Sequence, residues 1–378
     1  MKLVTVLGGG GIFGGRVARA LAAERELQVR ITGRDAARGR ALADEIGAQF
    51  VQLDLREPDA LPKALSGAAL LIDAAGPFQG RDYAVARACI AAGAHYLDLA
   101  DAREFVTGIG ALDAAARERG VFVGSGASSA PTVTHALVAS LAHEFDSIEE
   151  LDLALSPGNQ NPRGAATIGA VLGILGKPLR VWIDGAWRER RGWGDAAWLD
   201  FPPKVGRRRV HNCELPELDL FPQLFGARTV RFRAGLELGL FNFVLSALAT
   251  LRRLKLAPDL TPLAPLARDV SLWFFSRGSK NGALAAWVRG RARDGSPLER
   301  KIALVTDDDG PATPSSPSIL LARKLLLGAG LPAGARTCAG LLTVSELLEH
   351  LEPLGIWCAR GDVAGVWRAD ARAVTARR

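Results

Sequence analysis

Directly after an apolar run at 3–7 the chain reads Gly8-Gly9-Gly10-Gly11-Ile12-Phe13-Gly14-Gly15, and an Ala/Leu/Arg segment with helical spacing follows. Gly9, Gly11 and Gly14 satisfy G-x-G-x-x-G between an expected strand and an expected helix, the context of a dinucleotide-binding turn. The first glycine would allow a tight turn, the second a close approach of pyrophosphate to backbone, and the third close helix–strand packing. Phosphates would sit at the helix N-terminus, where free N–H groups and the macrodipole favour negative charge. Gly9, Gly11, Ile12, Phe13 and Gly14 are therefore candidate cofactor-binding residues. Arg34 stands 20 residues beyond Gly14, where an acidic residue would select NAD and an arginine accommodates the 2′-phosphate of NADP. Its planar fork suits phosphate, and Gly33 leaves room for the adenosine end, so NADP is favoured over NAD. Asp35 could bind a ribose or cap the helix 36–46. Asp54, after the third strand, could lie near the adenine or cap the next helix.

Further candidates cluster where later strands would end. Gly76-Pro77-Phe78 would wall the crevice, with Phe78 backing the nicotinamide ring or serving as a core aromatic. Asp98 and Asp101 could orient or deprotonate an amine, or stabilise an iminium cation. Alternatively, Asp98 is a strand-end acceptor and Asp101 an N-cap. His95 and Tyr96 alternate, so only one faces the crevice, and Tyr96 reads as a buried structural residue. Ser128, beside Ser129, could bind the nicotinamide amide or cap the next helix. His135, in the first turns of that helix, is the histidine placed for acid–base work. Tyr83 is followed four residues on by Arg87 instead of Lys, which removes the Y-x-x-x-K pair there. No H-E-x-x-H, paired C-x-x-C or G-x-S-x-G occurs, and the distant Cys89, Cys213, Cys338 and Cys358 suggest neither zinc nor disulfides. No metal is expected.

The elements that must position these residues form an alternating series, the signature of a parallel sheet. Strands are expected at 3–7, 27–32, 50–53, 69–74, 95–99 and 121–125, with helices at 14–24, 36–46, 58–65, 80–92 and 102–119. Six strands with right-handed crossovers complete a doubly wound Rossmann sheet. Pro131 opens a helix at 131–144. Beyond it strands neighbour strands, with a hairpin around Asp184-Gly185 and a second at 283–293 and 298–306 around Asp294-Gly295. Helices are expected at 313–327 and 343–352, and a last hairpin at 354–368. The fold class is α/β: a Rossmann domain over 1–130, an α+β domain with an antiparallel or mixed sheet over 131–312, and a C-terminal segment, 313–378, partly packing back on the nucleotide domain.

Several segments together resemble the saccharopine dehydrogenase-like oxidoreductases of the reductase type. They are Ala74-Ala75-Gly76-Pro77-Phe78, the stretch Gly93-Ala94-His95-Tyr96-Leu97-Asp98, Gly124-Ser125-Gly126-Ala127-Ser128-Ser129-Ala130-Pro131, Asp309-Gly310-Pro311-Ala312-Thr313-Pro314 and Gly334-Ala335-Arg336-Thr337-Cys338. The resemblance covers the first 135 residues and the C-terminal 70, and is loose between 150 and 280. It implies hydride transfer between NAD(P)H and a C=N bond of a small or medium-sized substrate. Alternatives are an enoyl (C=C) reductase on a lipid-like substrate, or a non-catalytic NADP-binding protein. Relatives often continue Tyr-x-Asp with Gly-Glu, whereas this chain reads Asp98-Leu99-Ala100-Asp101, and no arginine set for saccharopine's carboxylates stands out.

The net charge of +7 comes with basic clusters at 188–191, 207–209 and 252–255. They are scattered and follow no nucleic-acid motif, so no nucleic-acid partner is expected. An acidic cofactor, an acidic substrate or an anionic membrane surface fits better. The apolar segments 164–176 and 238–251 fall short of the roughly 20 residues that span a bilayer. The second, followed by Arg252-Arg253-Leu254-Lys255, suits a helix at an anionic interface, giving peripheral membrane contact, or a core or dimer-interface helix. Met1-Lys2 leading straight into a strand leaves no room for a signal peptide. A cytoplasmic homodimer acting on a small molecule is the expectation.

Overall fold

The computed structural model describes residues 1–57, 59–362 and 365–369. They form two compact units, 1–132 with 311–342, and 133–310 with the described part of 343–378.

The first unit is a seven-stranded parallel sheet. Its first six strands are β1 (Lys2–Leu7), β2 (Leu27–Gly33), β3 (Gln49–Gln52), β4 (Ala68–Asp73), β5 (His95–Asp98) and β6 (Phe122–Ser125). They lie in the order β6-β5-β4-β1-β2-β3, so the chain reverses direction across the sheet between β1 and β4. In such sheets ligands bind at this switch point, outside the strands' carboxyl ends. Gly334–Thr337 adds a seventh parallel strand beside β6. It is fastened from outside by Asp113, whose Oδ1 accepts the Ala335 N–H at 2.9 Å. The helix Ala312–Leu326 packs on α1 (Ile12–Ala22), where Arg323 Nε donates to Glu24 at 2.7 Å.

The expected strands and the helices α1 and α2 (Ala36–Ile46) form close to their predicted places. Three helices differ for local reasons. The helix expected at 58–65 is α3 (Ala60–Leu65), and Pro58 lies outside the described residues. The helix expected at 80–92 begins later, as α4 (Ala84–Ala92), because residues 78–82 are held in a turn by Arg81 N–H on the Phe78 carbonyl. The helix expected at 102–119 breaks into Arg103–Thr107, a 3-10 turn Gly108–Leu112 and Asp113–Glu118. Tyr83 occupies the space a Gly108 side chain would need, and its hydroxyl donates to the Phe105 carbonyl at 2.7 Å.

The second unit is a mixed ten-stranded sheet. Its central strand Ser147–Ser156 runs antiparallel to Gly282–Arg291 and parallel to Thr229–Ala234. Both hairpins form. Asp184 and Gly185 take positive φ, as a two-residue hairpin turn requires, and Gly295 does so in the longer one. The final hairpin pairs Ile356–Asp362 with Trp367–Ala369, and its expected residues 363–364 lie outside the described set. The helix expected at 131–144 starts at Thr134, after a wider turn at Ser129–Val133 in which Ala130 is non-helical. Sequence periodicity missed the strands Ser147–Ser156, Ala197–Asp200, Arg207–Asn212 and Thr229–Ala234 and the helices Glu217–Phe225 and Ala264–Leu272. The apolar segments form the helices Ala165–Ile174 and Gly239–Arg253, and no helix among the described residues is long and apolar enough to cross a membrane.

Thr343 starts the helix Val344–Leu351 with a full capping box shared with Glu346. Thr343→Ala should therefore cost about 1 kcal/mol, read as a lower urea midpoint at unchanged slope.

Candidate functional site

The switch point is built from bare backbone. β1 ends at Leu7, and Gly8 turns the chain at φ +69°, a conformation that favours glycine. A Cβ on Gly8 would lie 3.0 Å from the Ala74 carbonyl oxygen and from Ala75 Cα, so the loops after β1 and β4 nearly touch. The tight turn thus falls on Gly8, one residue ahead of the motif glycine to which the fingerprint assigned it. Gly9 is bare for a different reason: a side chain there would overlap Ile31 of β2. A Cβ on Gly14 would overlap the Gly8 carbonyl oxygen, and one on Gly11 would stand 3.1 Å from that atom. Gly11 is the N-cap of α1, with no side-chain cap and no acidic residue in the first turn. The N–H groups of that turn, from Ile12 to Gly14, lack intrahelical partners as at any helix start. A turn packed so closely at Gly8, Gly9 and Gly14, with uncapped donors and no acidic residue in the helix's first turn, fits a pyrophosphate.

At the end of β2, Arg34 is exposed, and its guanidinium makes no hydrogen bond or ion pair among the described residues. With Gln52, Leu53, Asp54 and Glu57 it lines a cleft of about 450 Å³. Space around Gly33 is open. Asp35 caps α2, its Oδ1 accepting from Arg38 N–H at 3.0 Å, so it takes the plainer of its two expected roles. Asp54 accepts from both the backbone and the guanidinium of Arg56, and these bonds hold its carboxyl down at about 2. It caps no helix, since the N-cap of α3 is Asp59.

Two buried carboxylates end adjacent strands, Asp73 on β4 and Asp98 on β5, paired in register. Each bends its own loop by accepting the N–H two residues on, Ala75 at 2.9 Å and Ala100 at 3.0 Å. Asp73 Oδ2 also takes Arg81 Nη2 at 2.8 Å, and Arg81 Nη1 donates to the Ala75 carbonyl at 3.1 Å. Asp98 Oδ1 accepts from Gly126 N–H at 2.8 Å and Ser125 Oγ at 3.0 Å, which fixes the turn after β6. Its Oδ2 is buried without a partner. Burial pushes the Asp98 carboxyl up to about 7 against the pull of these hydrogen bonds, and the neighbouring Asp73 charge adds to the rise. Asp98 is fully buried, so the structure places it as the strand-end acceptor rather than as a group open to substrate.

The other expected residues take these places: Phe78 is the core aromatic, Tyr96 is the buried structural residue, and Asp101 and Ser128 are not the N-caps of the α-helices that follow them. Phe78 is buried in a cluster with Phe105, Ala102 and Val106, and Arg81 lies over its ring at 4.9 Å. The ring therefore packs inward, while Gly76 and Pro77 just before it are exposed. Asp101 has surface exposed to solvent and caps nothing, since the next helix has Ala102 as its N-cap; desolvation by the surrounding protein raises its pKa, against the pull of a bond from Gln79. Ser128 is buried, and it does not cap the helix Thr134–Ala142, whose N-cap is Val133. Tyr96 is buried, and His95 Nδ1 accepts from Phe122 N–H at 2.9 Å. His135 belongs to the second unit, between Phe221 and Phe225. Its Nδ1 is buried unpaired, and desolvation lowers its pKa, so the ring is held neutral. The first unit thus brings together the glycine turn, Gly76-Pro77, Asp73, Arg81, Asp98 and the Ser125-Gly126 turn. Asp73 and Gly8 were missed. Their signal was present: both β4 and β5 end in an aliphatic-Asp-x-Ala run, and an extra glycine precedes the fingerprint.

Residues 4–126, about a third of the chain, match the model of the saccharopine dehydrogenase NADP binding domain. A search of curated protein sequences returned no match. Among solved structures, the apo L-Glu-forming saccharopine dehydrogenase of Saccharomyces cerevisiae superposes over 96% of this chain and 100% of its own, at TM-score 0.72 and 17% identity. The homospermidine synthase of Legionella pneumophila, solved in complex with NAD, covers 96% and 91% at TM-score 0.62 and 12% identity. These matches define the class of fold, a Rossmann-type nucleotide-binding sheet together with a mixed-sheet unit. Within that architecture residues 4–126 are similar to the saccharopine dehydrogenase NADP binding domain.

Gly14→Ala should cost about 1–3 kcal/mol, because its Cβ meets backbone that cannot yield. Gly10→Ala, with nothing nearer than 3.9 Å, should stay within about 0.5 kcal/mol; urea unfolding of both variants checks the contrast. Asp98 gives a pH signature. Its folded pKa of about 7 lies above the roughly 3.9 of an unfolded aspartate. Its contribution to stability is fully present below about pH 4 and is lost as pH rises to about 7, by at most about 1.4 kcal/mol per unit. Asp98→Asn cannot ionise, so the stability of the variant relative to the parent should climb across that window and level off above it. A pH-independent difference in urea unfolding would contradict the assignment.

Proposed function

We propose that this protein is an NADP(H)-dependent oxidoreductase that transfers hydride to or from a C=N bond of a small or medium-sized substrate. The observation that carries the reading is the β1–α1 turn, where Gly8, Gly9 and Gly14 have no room for a side chain and the helix N-terminus is left uncapped. The N–H groups of Ile12, Phe13 and Gly14 would hold the pyrophosphate. The unpaired Arg34 guanidinium would take the 2′-phosphate, and the backbone of Gly76-Pro77 would flank the nicotinamide half. When bound in its reduced form, the nicotinamide supplies the hydride.

The C=N assignment draws support from the similarity to the saccharopine dehydrogenase NADP binding domain and from Asp101, an acidic residue with exposed surface in the loop after β5. An iminium nitrogen is cationic, and an acidic side chain beside it stabilises that charge through a hydrogen bond and Coulomb attraction. A protonated imine is already a good hydride acceptor, so little further acid catalysis is needed. Asp98 is then a positioning residue, which keeps the Ser125-Gly126 turn in place without touching substrate. Exclusion of the C=C alternative falls to the assay.

The test is NADPH oxidation with amine and oxo-compound pairs, followed by absorbance and by mass spectrometry of the product. Consumption that requires both partners and yields a secondary amine is the expected result. Consumption with an unsaturated acyl thioester alone would replace the C=N reading with a C=C one, and no turnover with either would remove the catalytic reading. Arg34→Ala should weaken NADPH binding at least tenfold, about 1.4 kcal/mol, and leave NADH binding unchanged. Equal effects on the two cofactors would refute the role of Arg34.

A further inference from the structure

Of the 17 large apolar side chains exposed among the described residues, 11 lie between Leu240 and Phe275. Single exposed apolar residues need no explanation, but a concentration of them marks an interaction surface. In the helix Gly239–Arg253, exposed Leu240, Phe243, Val244 and Leu251 recur at helical spacing along one face. The opposite face is also committed. Asn242 and Ala249 are buried, and Leu245 and Leu248 pack against Leu172 and Leu175. Asn242 further anchors the helix by exchanging two hydrogen bonds with the Leu236 backbone, at 2.7 and 3.0 Å. The helix Ala264–Leu272 packs on the same cluster, and Phe241 meets Phe274 edge-on at 5.4 Å. Leu266 and Trp273, the latter 79% accessible, are exposed on this adjoining segment.

The charge beside this apolar face has one sign left over. Arg253, Lys255 and Arg277 are exposed and make no side-chain hydrogen bond or ion pair among the described residues. The local acids are already used. Asp259 pairs with Arg252 and Asp269 with Arg268. Arg252 itself is spent inside the unit, donating to the carbonyls of Leu172 and Leu175 at 2.9 and 3.1 Å. A second copy of the chain placed on this face would set unpaired cations against unpaired cations. A layer of anionic headgroups over acyl chains supplies both the apolar medium and the opposite charge. Tryptophan is the residue most at home at that boundary.

We propose that this face docks on a lipid bilayer bearing anionic headgroups. The 15-residue helix Gly239–Arg253 is too short to cross and lies in the membrane plane. Leu240, Phe243, Val244 and Leu251 enter the acyl boundary, while Arg253, Lys255 and Arg277 meet the headgroups. The surface is independent of the reaction, so its test does not depend on any substrate.

The full chain is floated with vesicles of phosphatidylcholine alone and with added phosphatidylserine, at low and at physiological salt. Binding is expected to need phosphatidylserine and to fall with salt. Two sets of exposed substitutions, Phe243→Ser with Trp273→Ser, and Arg253→Glu with Lys255→Glu and Arg277→Glu, should each reduce it at least tenfold while the melting temperature is kept. Absence of flotation at low salt would overturn the proposal, as would variants that float like the parent. A dimer in light scattering that Phe243→Ser with Trp273→Ser dissociates, without vesicle binding, would assign the face to contact between copies instead.

Discussion

The first unit is organised around an approach so close that side chains are shut out. Where β1 ends, the Gly8 turn stands against Ala74 and Ala75 of the loop after β4, and the first turn of α1 closes over the Gly8 carbonyl through Gly11 and Gly14. Backbone on backbone at this distance fixes where α1 starts. It also leaves the N–H groups at that start facing outward with nothing to cap them. The switch of strand order between β1 and β4 then opens the sheet at the same place. The anion binding proposed here would be a property of the chain path, with the side chains around it acting mainly by staying away.

The same edge of the sheet solves a second problem, two carboxylates buried on neighbouring strands. Asp73 is balanced by Arg81, which also grips the loop that Asp73 starts. Asp98 has no cation in contact and draws on three donors, yet burial still lifts its carboxyl to about 7. The pair is thus held by an ion pair on one side and by hydrogen bonds and partial protonation on the other. Loops after β4, β5 and β6 are all tied to these two residues. They set the walls of the crevice without being exposed in it.

Much of the first unit was legible because its signals are local. The glycine fingerprint, the alternation of apolar strands with alanine-rich helices, and Asp35 before α2 each require only a few neighbouring residues. The Asp184-Gly185 and Asp294-Gly295 turns were readable for the same reason. What escaped depends on distant contacts. Tyr83 breaks a helix by reaching across to Gly108, and Phe78 turns inward because Phe105 and Arg81 enclose it. The roles of Asp98 and Ser128 turned on burial, which no spacing reveals. Arg252, grouped by sequence with Arg253 and Lys255, is separated from them in space by the carbonyls it satisfies.

A crystal structure of the protein with NADP⁺ tests the central claim most directly. The account predicts the pyrophosphate on the N–H groups of Ile12, Phe13 and Gly14, and the 2′-phosphate on the Arg34 guanidinium. A dinucleotide bound with its pyrophosphate away from that turn, or with its 2′-phosphate out of reach of Arg34, would contradict it.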